Sequence, residues 1–121
     1  MCTMRMWNVD PKLMCRKHLL GEHVECHMMV GAILKKHSIS GFIRNGLIEV
    51  HNIEKRHKEL VLEMTRRGYN HRSELPGFKP WIEGTVNSST NVIELARRCP
   101  ECKKRMEKYN NVNENNSENK L

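Results

Sequence analysis

Three residues in the first quarter of the chain have types and a spacing suited to proton chemistry. His18, Glu22 and Glu25 are separated by four and then three positions, which on a helix sets them within about 60° of one another. Gly21 lies beside them and leaves room for a second backbone or a ligand to approach. Apolar residues flank the strip, so it is expected at the rim of a core. A carboxylate there is partly desolvated and its pKa raised, which fits general acid–base work. The same spacing also suits a solvated helix face carrying a His–Glu pair.

Cys99 and Cys102 form a C-x-x-C pair. A structural zinc site asks for a second cysteine pair or a close histidine pair. Cys2, Cys15 and Cys26 do not provide that spacing, and the seven histidines are dispersed. A redox motif would follow a strand, and none is indicated. The expectation is that these thiols pack a helix or are incidental, and that no metal or other cofactor is bound. The sequence holds no P-loop, no dinucleotide-binding glycine pattern, no paired-His metalloprotease motif and no nucleophile elbow.

The remaining chemistry is cationic. Lys55-Arg56, Arg66-Arg67-Arg72, Arg97-Arg98 and Lys103-Lys104-Arg105 are basic clusters, and the 121-residue chain carries a net charge of +7. Singly, each cluster suits a solvated face; side by side, they could line one phosphate-facing surface. No apolar run is long enough to span a membrane, and no secretory signal opens the chain. Five scattered cysteines argue for a reducing compartment rather than a disulfide scaffold.

Helices must position these groups. Asp10 as N-cap and Pro11 at the first turn open a long helix to Lys36, with Leu13, Leu20, Val24 and Met28 at helical spacing. Residues 38–50 read as a connection, with Asn45-Gly46 able to close a small hairpin between Phe42-Ile43 and Leu47–Val50, or as an irregular loop. A second helix is expected over His51–Arg67, capped by Gly68, followed by a long ordered loop from Asn70 to Ser89. Asn91 with Glu94 resembles a capping box opening a third helix, which kinks at Pro100 and ends near Lys108. Residues 110–121 are Asn-rich and are expected to form a disordered tail. The fold class is therefore all-α: one compact domain over 1–109, with three main helices, long irregular loops and the tail.

Three segments carry a resemblance to a known family. Lys55-Arg56-His57-Lys58-Glu59-Leu60 through Glu63-Met64-Thr65-Arg66-Arg67-Gly68-Tyr69-Asn70 resembles the central helix of the pyrimidine-dimer DNA glycosylases of the phage endonuclease V type. Met4-Arg5-Met6-Trp7-Asn8-Val9-Asp10-Pro11 and His18-Leu19-Leu20-Gly21-Glu22-His23-Val24-Glu25 resemble the opening of that family's relatives. The resemblance implies an enzyme that binds damaged double-stranded DNA, cleaves the glycosidic bond at a pyrimidine dimer and then cuts at the abasic site as a lyase, without a metal. It places Glu25 at the family's catalytic acid, Met4 at the α-amine nucleophile, Arg5 at the basic residue after it, and His18 at a histidine near the lesion. Glu22, Lys55, Arg56, Arg97, Arg98, Lys103 and Lys104 are the further expected DNA contacts. The alternative is a non-catalytic basic DNA-binding module of the same fold. The protein is expected to be a monomer, located in the cytoplasm or at the nucleoid.

The sequence departs from the family pattern in two places. Members carry arginines near the acid, whereas Val24, His27 and Met28 stand here, which leaves lesion preference open. Met1-Cys2-Thr3 also precede the expected start, displacing a Met1 amine by roughly 10 Å if extended. A working chain is therefore expected to begin at Met4.

Overall fold

The structure, a computed structural model, describes residues 5–70 and 74–119, with side chains as far as Tyr109. Among the described residues there are five α-helices and no strand: α1 (Arg16–Leu34), α2 (Ser40–Arg44), α3 (Ile53–Arg66), α4 (Ser88–Arg98) and α5 (Pro100–Asn119). None is long and apolar enough to cross a membrane. The all-α expectation holds, with α1, α3 and the α4–α5 pair as the main bodies.

The first helix starts later than its apolar pattern suggests. Asp10 caps only a single 3-10 turn, Pro11–Leu13, accepting from the Lys12 N–H at 3.0 Å. Met14 and Cys15 are then extended, and Cys15 becomes the N-cap of α1. Leu19, Cys26, Met29 and Val30 face inward from α1, against Ile53, Leu60 and Met64 of α3.

Asn45-Gly46 closes no hairpin. The Gly46 N–H bonds to Ile43 O at 3.1 Å and the Leu47 N–H to Phe42 O at 2.9 Å, the paired bonds that end a helix on a left-handed glycine. Gly46 has φ +71°, so the dipeptide stops α2 instead of turning a strand. Gly68 ends α3 in the same way, with φ +84° and bonds from Gly68 N–H to Thr65 O and Tyr69 N–H to Met64 O. That cap matches its sequence expectation.

The third helix is cut in two. Asn87, not Asn91, caps α4, its side chain accepting from the Thr90 N–H at 2.9 Å. The helix stops at Cys99, which is extended at φ −128°, ψ 106°, because the residue before a proline is pushed out of the helical region. Pro100 then opens α5 as its first residue, where no N–H is needed. The backbone of α5 is traced to Asn119, into the Asn-rich segment.

A buried ion pair joins these pieces. Arg56 of α3 donates Nε to Glu22 Oε2 at 2.5 Å and Nη2 to Glu22 Oε1 at 2.9 Å, and the two side chains are 3% and 0% exposed. Its Nη1 reaches Val9 O at 2.7 Å, binding the N-terminal segment to both helices. At the far end of α3, Glu63 accepts from Arg66 and Arg67, and Arg67 donates to Pro11 O and Met14 O.

Removing one partner of a fully buried pair strands the other charge, which costs about 3–5 kcal/mol, whereas replacing both with apolar residues costs far less. Arg56→Met alone should therefore lower unfolding free energy by that amount in a denaturant titration. Arg56→Met with Glu22→Leu should recover much of the loss.

Candidate active site

Glu25 lies on α1, one turn beyond Glu22, and is half-buried. Burial pushes its carboxyl up to about 7, the neighbouring Glu22 charge adds to the rise, and Arg5 opposes it. A carboxylic acid at that value changes protonation near physiological pH, as a group that both gives and takes a proton must.

Arg5 faces it from the N-terminal segment and is held by two contacts. Its Nη2 donates to Asn91 Oδ1 at 2.8 Å, and its guanidinium lies 3.8 Å from the centre of the Trp7 ring. Asn91 in turn donates Nδ2 to Trp7 O at 2.8 Å. Burial lowers the Arg5 pKa, as does Arg98, while Glu94, Glu25 and Glu22 raise it. The N-terminal segment, α1 and α4 thus bring Arg5, Glu25, Glu94 and Arg98 into one neighbourhood. Met4 lies outside the described residues, as does Arg72.

The other expected site residues fall into separate groups. Glu22 and Arg56 are sealed in their ion pair, so they hold the fold and offer nothing to a DNA surface. Arg97 and Arg98 are exposed and both donate to Glu94, whose carboxyl these hydrogen bonds depress to about 2. Lys103 and Lys104 are exposed on the first turns of α5. Lys55 is exposed too, but it lines a cleft of about 350 Å³ with Asn8, Glu59 and Ser88. Ser88 and Arg98 stand at opposite ends of α4, about 15 Å apart, so the cations are spread along that helix rather than gathered at one point.

His18 is half-buried, with its ring edge-on to Trp7 at 6.0 Å, and burial and Lys17 lower its pKa. Its Nδ1 lies 3.2 Å from Cys15 Sγ and 3.7 Å from Cys102 Sγ. This corrects the sequence expectation for the thiols: the partners of Cys99 and Cys102 are Cys15 and His18, a C-x-x-H pair more than eighty residues away. Asn91 is the site residue that sequence reasoning missed, because its spacing to Glu94 imitates a cap. Its buried interior position in α4 carries no local signal.

Residues 4–76 match the pyrimidine dimer DNA glycosylase family. That is more than half of the chain, including Arg5, Glu25 and the α1–α3 ion pair, and the protein belongs to this family of DNA repair glycosylases. No curated protein and no solved structure matches the chain significantly.

The raised Glu25 pKa has a consequence for stability. An acid whose pKa is higher in the folded state holds an extra proton there, so stability falls as pH rises from about 4.5 to about 7. Glu25→Gln removes this penalty. Discounted for its partial exposure, the variant should be about 1–2 kcal/mol more stable than wild type at pH 8. The difference should vanish near pH 4.5, which denaturant titrations at the two pH values will read.

Proposed function

We propose that this protein excises pyrimidine dimers or a related lesion from duplex DNA, and that it cuts the resulting abasic site by β-elimination. The nucleophile in this reading is the α-amine of Met4 in a chain that begins there. Such an amine has an unperturbed pKa of about 7.7–8.0, well below a lysine's, so much of it is neutral at physiological pH. Its lone pair attacks the sugar C1′, the glycosidic bond breaks and the base departs with the bonding electrons. The nitrogen then loses a proton, its lone pair expels O4′ as the C1′–O4′ bond breaks, and O4′ takes up a proton, so the opened sugar is held as a protonated imine. The imine then acts as electron sink while a C2′ proton is removed and the 3′ phosphate leaves.

Glu25 supplies the carboxyl for these steps. Ionised, it stabilises the positive charge developing on the sugar; protonated, it returns a proton. The observation that carries the reading is Glu25 beside Arg5, with a pKa of about 7, since Arg5 directly follows the residue proposed as nucleophile. Arg5, Arg97, Arg98, Lys103 and Lys104 are the proposed phosphate contacts, and Lys55 is a more distant one. The exposed Val24 and Met28 on α1 present an apolar surface where relatives place arginines, so lesion choice here relies less on charge.

Glu25→Gln should lower incision of dimer-containing duplex by about 100-fold or more while leaving DNA affinity within a few-fold. Incision near the wild-type rate would contradict the role of Glu25. Borohydride reduction during turnover, followed by mass spectrometry, should find the DNA adduct on Met4. An adduct on an internal lysine would overturn the terminal-amine mechanism.

A further inference from the structure

Cys15, His18, Cys99 and Cys102 are brought together by two helix starts built alike. Cys15 is the N-cap of α1 and His18 lies three residues on; Cys99 immediately precedes α5 and Cys102 lies three residues on. In each case the cap carbonyl accepts the first helical bond, from Leu19 N–H at 2.9 Å and from Lys103 N–H at 3.0 Å. A cap residue and the third helical residue lie on the same side of the first turn, so each helix offers two donors to a common point. The two points coincide: all four ligand atoms lie within 4.8 Å of one another.

We propose that these four residues form a structural zinc site that fastens the start of α1 to the joint between α4 and α5. Four donors at a tetrahedral zinc, with Zn–S near 2.3 Å and Zn–N near 2.0–2.1 Å, must lie about 3.5–3.8 Å from one another. Cys15 Sγ and Cys99 Sγ are 3.8 Å apart and Cys102 Sγ and His18 Nδ1 are 3.7 Å apart, both at that spacing, while Cys15 Sγ and His18 Nδ1, at 3.2 Å, would open by a few tenths of an ångström around the ion. The sulfur spacing is nearly twice a disulfide's S–S bond. Backbone donors also face two of the sulfurs. The Cys15 N–H donates to Cys102 Sγ at 3.2 Å and the Cys102 N–H to Cys99 Sγ at 3.4 Å, and two helix N-termini aim their positive ends at the cluster. Zinc would enter as the divalent ion while three thiol protons leave to solvent, and His18 would bind through Nδ1.

The donor set is Cys3His, with no position left open, so the role is structural rather than catalytic. It is independent of the reaction proposed above. It does reassign His18, from a lesion contact to a ligand that holds the first turn of α1, two turns before Glu25.

The test uses the full chain, purified without chelator. Elemental analysis should give one zinc per chain. Cobalt added to the metal-free protein should show thiolate charge-transfer bands and the visible absorption of a tetrahedral ion. Stripping zinc should lower the thermal midpoint by about 10 °C or more, and adding zinc back should restore it. Cys102→Ser should lose the metal, while Cys26→Ala, at a buried cysteine outside the cluster, should keep it. If Cys102→Ser does not fold, the cobalt spectrum of the wild-type protein decides alone. No metal above trace with no cobalt spectrum would overturn the proposal. So would an iron–sulfur spectrum, or zinc that survives Cys102→Ser and is lost in His27→Ala, which would assign it to the His23, His27 and His57 trio.

Discussion

The buried contact between Glu22 and Arg56 is the constraint on which the remaining geometry depends. Two charges withdrawn from water must satisfy each other fully, and here they do so across α1 and α3, with Arg56 also holding Val9 O. That third bond fixes where the N-terminal segment crosses the helices. Arg5, a few residues earlier, is thereby delivered beside Glu25, with Trp7 stacked on its guanidinium. The same Glu22 charge that is neutralised towards Arg56 still raises the pKa of Glu25. One interaction therefore brings Arg5 to the candidate catalytic group and, second to burial, contributes to its raised pKa.

A second set of ties closes the molecule from the other side. Asn91 of α4 holds Trp7 and Arg5, and Arg105 of α5 donates to Lys12 O at 3.0 Å. The thiol–imidazole cluster lies between these helices and the start of α1. With zinc bound, it would fix the α4–α5 joint, and with it the exposed cations of both helices, relative to Glu25. It would add to the apolar contacts that Leu95 of α4 and Met106 of α5 already make with the core.

Helix positions were largely legible in the sequence because apolar spacing and caps are local signals. Gly68 read correctly, since a glycine after a periodic stretch has one common use. Asn45-Gly46 read as a hairpin turn or part of an irregular loop because the same left-handed glycine serves hairpins and helix ends, and only the bonds to Phe42 and Ile43 decide between them. Glu22 read as a residue at the rim of the core and a DNA contact because its partner is 34 residues away, and nothing within a helical turn announces it. Cys15 and His18 escaped as partners of Cys99 and Cys102 for the same reason: they meet those thiols only when α5 is folded against them. Glu25 was legible from its apolar-flanked strip and by family resemblance, and its partial burial and raised pKa were expected from that strip; the contribution of the Glu22 charge and the opposing Arg5 emerged only from the packing.

The central claim is that this fold carries out lesion-specific cleavage. The most direct measurement is strand incision on a duplex bearing one defined cyclobutane pyrimidine dimer, compared with the same duplex undamaged. The account predicts cutting confined to the dimer strand, at the lesion, with the unsaturated 3′ sugar end that β-elimination leaves. Tight binding to both duplexes with no incision of either would contradict it, and would make the protein a DNA-binding module that retains the fold without the chemistry.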